Sequence, residues 1–120
     1  MVKARVFFGA AALVCAIVLA GAIRCAAAEN PATDYMIYCA KCHGMTGNGD
    51  GPNAATLKTR PRDFADCAVM KKISDATMFK AIKEGGASVN VSPEMPPWGQ
   101  AFDDSEIKEL ITYVRKFCKH

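Results

Sequence analysis

Cys39-Ala40-Lys41-Cys42-His43 has the spacing C-x-x-C-H, the interval by which haem c is attached to a polypeptide. On a helix, positions i, i+3 and i+4 share one face, so Cys39, Cys42 and His43 are expected to point the same way. Two thiols so placed can add to the two vinyl groups of a porphyrin. The adjoining imidazole then reaches the iron as proximal ligand. A thioredoxin-type C-x-x-C calls for a preceding strand in a βαβ pattern, and the sequence has no such pattern. A zinc site calls for a second ligand pair, but Cys67, Cys118 and His120 are irregularly spaced. A structural disulfide leaves His43 without a role. The motif points to one covalent haem c held by Cys39 and Cys42.

A six-coordinate iron needs a ligand opposite His43. The candidates are Met36, Met45, Met70, Met78, Met95 and His120. Met78 lies in a helical stripe and Met70 beside one, where methionine more often fills a core. Met36 and Met45 sit too near the attachment motif to cross the macrocycle. His120 lies at the end of the sequence, where chains fray. Met95 stands in Ser92-Pro93-Glu94-Met95-Pro96-Pro97-Trp98-Gly99, a loop whose prolines limit the entropy lost in holding a weak thioether ligand. A His43/Met95 pair raises the reduction potential relative to harder ligand pairs. The expected iron ligands are His43 and Met95.

Helices must position these groups. Asn30-Pro31 reads as an N-cap with Pro at the first helical position, opening a helix to about Lys41. Gly44 to Pro52 is turn chemistry throughout. No strand precedes it and no Lys-Ser/Thr follows, so it is not a phosphate cradle. Its carboxylates are too few for an EF-hand. Leu57 to Asp66 reads as irregular, and Asp66 caps a short turn to Met70. Ser74-Asp75 opens a helix that Gly85-Gly86 closes. Asp103 to Glu106 has the form of a capping box. Beyond it Ile107, Leu110, Ile111, Val114 and Phe117 make a helical apolar stripe, expected to bury against the first helix and the haem edge.

Residues 1–28 read as a cleaved signal peptide: Lys3 and Arg5, an apolar run from Val6 to Ala22, then the small residues Ala26-Ala27-Ala28 before Glu29. Cys15 and Cys25 leave with it. The domain is then residues 29–120, one haem-stapled domain of modest core. The whole chain has 15 basic and 12 acidic residues, a formal charge of +3. Removing Lys3, Arg5 and Arg24, with no acidic residue, leaves the remainder formally neutral. Nucleic acid, which calls for a basic stripe, is excluded as a partner. The exported chain is expected in the periplasm, without stable membrane insertion once the signal is cut. Thiols oxidise there, so Cys67 and Cys118 are expected to form a disulfide.

From about Ala32 to Phe117 the chain resembles the class I c-type cytochromes. The matching stretches, in the family's order, are Cys39 to Gly44, Gly51-Pro52, Met95 to Gly99 and Leu110 to Arg115. The resemblance implies an all-α cytochrome c fold, with N- and C-terminal helices crossing beside a single covalently attached haem. It also implies that the Pro52 carbonyl accepts the Nδ1 hydrogen of His43. The extra pair Cys67 and Cys118 departs from the family pattern. The function so implied is that of a periplasmic electron carrier, monomeric and not an enzyme, passing single electrons between periplasmic redox proteins. Two alternatives stand beside it. One is a haem domain serving as a fixed subunit of a larger dehydrogenase or reductase. The other is a haem enzyme or sensor with an open iron site.

Overall fold

The structure, a computed structural model, describes residues 30–118. The leader expected over residues 1–28 and the candidate ligand His120 lie outside the described residues. Helices and turns make up the described part, which contains no strand. The first helical segment is α1 (Pro31–Asp34), followed without a break by a π-helical turn (Tyr35–Cys39) and α2 (Ala40–His43). The Asn30 side chain accepts the Ala32 N–H at 3.0 Å. Pro31 sits where the missing donor costs nothing. The expected helix therefore forms, two residues longer than its sequence signals indicate and widened in the middle.

That widened turn sits between two anchored ends. Tyr35 is fully buried, its ring against Tyr113 and Phe117 at centroid distances of 5.5 and 4.9 Å. Ala40 to His43 is held from below by the following loop, described with the site. The Ala40 N–H bonds to the Tyr35 carbonyl, five residues back, and the extra residue takes up the mismatch between the two anchors. Such π turns cluster at functional sites.

Three further helices follow. Asp66 caps α3 (Cys67–Met70) through the Val69 N–H at 3.1 Å. Ser74 caps α4 (Asp75–Glu84) through the Thr77 N–H at 3.1 Å. In α5 (Asp104–Arg115) the Asp103 carboxylate accepts the Ser105 and Glu106 N–H groups at 2.7 and 2.9 Å. Glu106 answers by accepting the Asp103 N–H, which completes the capping box. Short 3₁₀ turns lie at Ala54–Thr56 and Gly86–Val89.

The apolar stripe of α5 forms the middle of the core. Ile107, Leu110, Ile111 and Val114 are buried with Tyr35, Ala40, Met70, Met78 and Phe102. Each large apolar side chain so buried contributes about 1.5–3 kcal/mol. α5 packs on α1 and on α4, so the terminal helices meet as the fold class requires. Arg115, in the last turn of α5, ties α3 and α4 to it. Its guanidinium donates to the Met70 carbonyl at the end of α3, to the Ile73 carbonyl beyond it and to Asp75 Oδ1. Cys67 and Cys118 are paired as a disulfide, with Cα atoms 5.0 Å apart. No helix among the described residues is long and apolar enough to cross a membrane.

Candidate functional site

The end of α2 is closed by backbone. A helix leaves its last carbonyls without partners, and here the returning loop supplies them. Gly44, Gly49, Gly51 and Asn53 donate their N–H groups to the carbonyls of Ala40, His43, Cys42 and Lys41, at 2.9, 2.8, 3.1 and 2.8 Å. Two glycines make this closure possible. Gly44 stops the helix at φ +82°, a conformation other residues rarely adopt. A Cβ on Gly51 would collide with the Ala40 and Lys41 carbonyls. The Gly-rich run thus grips the helix end that carries Cys39, Cys42 and His43.

Tyr35 adds a side-chain anchor. Its hydroxyl donates to the Gly44 carbonyl at 2.7 Å inside the core. Burial, helped by negative charge at Cys39, Tyr113 and Asp50, pushes its phenol well above the ordinary value, so it remains a donor at any working pH.

Cys39 and Cys42 are half-buried thiols, neither bridged to another cysteine. Burial chiefly, then the charges of Asp34 and Cys42, pushes the Cys39 thiol up to about 12. A thiol–disulfide exchange motif requires the opposite shift. No group of three or more His, Cys, Asp or Glu able to hold a metal ion occurs among the described residues.

His43 is half-buried, and its ring stacks on Phe64 with centroids 4.4 Å apart and planes 15° from parallel. Its Nδ1 lies 3.3 Å from the Arg62 carbonyl. The resemblance pointed instead to the Pro52 carbonyl. Stacking on Phe64 turns the ring toward the segment after Pro61, and Arg62 is the carbonyl met there. With Nδ1 so engaged, Nε2 is the nitrogen available to a metal. Burial holds the imidazole below its ordinary value, the Arg62 charge acts the same way, and the Arg62 hydrogen bond opposes them.

Met95 is half-buried in a loop fastened on two sides. On one side the loop is laced to the end of α4. There the Gly86 N–H donates to the Met95 carbonyl at 3.0 Å, and the Trp98 and Gly99 N–H groups donate to the Ile82 and Lys83 carbonyls at 2.8 and 3.0 Å. On the other, the Glu94 carboxylate accepts the N–H groups of Lys58 and Thr59. The Lys58 N–H chiefly, with Thr59 and Ser92, holds that carboxyl below the usual carboxylate range despite partial desolvation. The loop reaches the attachment motif through Trp98, whose ring meets Tyr38 edge-on at 5.4 Å. Tyr38 also meets Phe102 at 5.1 Å. Met70 and Met78 are core residues, 2% and 7% exposed, while Met45 is 70% exposed.

The residues present suit a large apolar cofactor. Among the described residues the exposed large hydrophobic ones are Met36, Ile37, Tyr38, Met45 and Val91. Four of these flank Cys39 to His43 and the fifth leads into the Met95 loop. Apolar surface concentrated in this way is characteristic of a binding site. Two adjacent thiols and an imidazole presenting Nε2 complete the donor set of haem c.

The family model described as "Cytochrome C oxidase, cbb3-type, subunit III" matches residues 26–114. The chain belongs to that family. It is a small c-type cytochrome domain, all-α, that binds haem c covalently and serves electron transfer. The solved structure of "KustC0563 c-type cytochrome" is similar to it, at 30% identity and a TM-score of 0.61, covering 75% of this chain and 99% of that one. A tyrosine-to-phenylalanine mutant of Kustc0563 is similar at 29% identity and a TM-score of 0.58, covering 72% of this chain and 96% of that one. No curated protein is significantly similar in sequence.

Several contacts of this cytochrome domain were not legible as site residues. Phe64, Arg62 and Glu94 act across 19 to 36 residues of sequence, and no periodicity marks them. Tyr35 stands four residues before Cys39, and no local signal marks it as the partner of Gly44.

Proposed function

We propose that this domain is a periplasmic electron carrier whose haem c is attached at Cys39 and Cys42, with His43 and Met95 as axial ligands. The observation that carries the proposal is the backbone-closed end of α2, which displays both thiols and His43 amid exposed apolar side chains. Haem c bound there supplies one-electron chemistry, the iron alternating between ferric and ferrous. The chain's part is to keep both ligands in place in both states. Phe64 and the Arg62 carbonyl orient the His43 ring, and the doubly fastened loop presents Met95. Rigid ligands reduce the reorganisation that accompanies each electron, because few atoms need to move. Tyr38, Trp98 and Phe102 form an aromatic contact that joins the Met95 loop to the motif. On this reading the domain carries electrons and is not an enzyme. Residues 1–28 act as the export signal and are removed.

A carbon monoxide test separates this reading from an open-site enzyme or sensor. The purified ferric protein is expected to show the near-infrared sulfur-to-iron band, and the ferrous protein to bind carbon monoxide slowly. Rapid binding by the wild-type protein would favour the open site. A second reading is favoured by the family's description as an oxidase subunit: the domain would then serve as a fixed electron-transfer subunit of a larger complex. Size-exclusion chromatography of the native protein distinguishes them, since a free carrier elutes at the size of a single small domain.

A further inference from the structure

Glu94 precedes Met95 and joins its loop to a distant part of the chain. Oε1 accepts the Lys58 N–H at 3.0 Å and Oε2 accepts the Thr59 N–H at 3.2 Å. Oε2 also accepts the Ser92 hydroxyl at 3.1 Å. Ser92 Oγ in turn accepts the Glu94 N–H at 3.2 Å, which sets the local turn. Two carboxylate oxygens thus take two successive backbone donors, a geometry that fixes orientation as well as distance.

Lys58 and Thr59 are not a free strand end. They follow the 3₁₀ turn Ala54–Thr56, whose Ala54 and Thr56 N–H groups bond to the Gly51 and Asn53 carbonyls at 2.8 and 3.1 Å. Gly51 and Asn53 in turn donate to the Cys42 and Lys41 carbonyls. A path of hydrogen bonds joined by short stretches of backbone therefore runs from the helix end that carries His43, through residues 51–59, to the carboxylate beside Met95. It is separate from the Tyr38–Trp98 ring contact.

We propose that Glu94 is a positioning residue, which sets the placement of Met95 relative to the Cys39–His43 helix by clamping the Met95 loop to Lys58 and Thr59. The inference rests on the reading of Met95 as axial ligand. A carboxylate suits the task because it offers acceptors to both N–H groups and no donor to oppose them. Glutamine keeps one acceptor oxygen and turns an NH₂ toward the second N–H. Alanine removes the clamp entirely.

The test uses holoprotein with Glu94→Ala and Glu94→Gln, and Arg115→Ala as a variant that loses tertiary anchors without touching this loop. The readouts are the near-infrared sulfur-to-iron band and the rate of carbon monoxide binding to the ferrous protein. Glu94→Ala is expected to weaken the band and to raise the binding rate about tenfold, as the open population rises by that factor. Glu94→Gln should fall between Ala and wild type, and it decides alone if the Ala variant yields no holoprotein. Arg115→Ala should match wild type in both readouts. An unchanged band and rate in the Glu94 variants, with the band present in wild type, would overturn the clamp and leave the Met95 assignment standing. An equal effect from Arg115→Ala would also overturn it, because generic loosening would then suffice. Absence of the band from wild type would overturn the Met95 assignment itself, and the clamp with it.

Discussion

Replacing Met95 with Ala is expected to abolish the near-infrared sulfur-to-iron band, lower the reduction potential and open the iron to carbon monoxide. A thioether sulfur is a soft ligand that favours ferrous iron, so its loss moves the potential down. Axial ligands span about 0.8 V across haem proteins, and losing one soft ligand should account for a drop on the order of 0.1–0.2 V. The fold should survive, because Met95 lies outside the buried core cluster. Its loop also remains held by backbone bonds from Gly86, Trp98 and Gly99 that the substitution leaves alone. Potentiometry and a ferric near-infrared spectrum of the variant check the outcome. A variant with wild-type spectrum and potential would mean that Met95 is not the ligand. The alternatives are poor, since Met70 and Met78 fill the core and Met45 is largely in solvent.

The second large effect concerns Cys67 and Cys118. Their Cα separation of 5.0 Å falls within the 4.4–6.8 Å span a bridge usually needs. The bond closes a sequence separation of 51 residues. In the chain-entropy model, a loop of that length contributes about 4 kcal/mol by restricting the unfolded chain. A small domain has a total stability of only about 5–15 kcal/mol. The Cys67→Ala/Cys118→Ala double variant should therefore melt lower by on the order of 20 °C, with little change in potential. Thermal unfolding followed by circular dichroism measures this. Thiol counting on the unfolded, unreduced wild-type holoprotein should find none free. Two free thiols per chain would show that the bridge is not made in the native protein.

Features governed by neighbouring residues were legible in the sequence, and contacts between distant segments were not. Asn30, Asp66, Ser74 and Asp103 each cap a helix through an N–H two or three residues on, so residue type and spacing were sufficient to place them. The α5 stripe follows a fixed period, and its first four members are buried. By contrast, the π turn at Tyr35–Cys39 arises because tertiary contacts hold both of its ends. The partner of His43 Nδ1 depends on where Phe64 packs, so the carbonyl that family resemblance pointed to at Pro52 gives way to Arg62. The link between Glu94 and Lys58–Thr59 joins two loops of no regular structure. These contacts set how the site is held, whereas the spacing of the motif sets which chemistry it performs.

The most direct test of the central claim is the mass of the polypeptide after acid–acetone treatment of the purified protein. Thioether bonds at Cys39 and Cys42 would survive that treatment, whereas axial ligation and apolar contacts would not. The expected result is a chain heavier than the apoprotein by one haem, with the added mass on the peptide that contains Cys39 to His43. A colourless precipitate at apoprotein mass, with the haem in the acetone, would contradict the account.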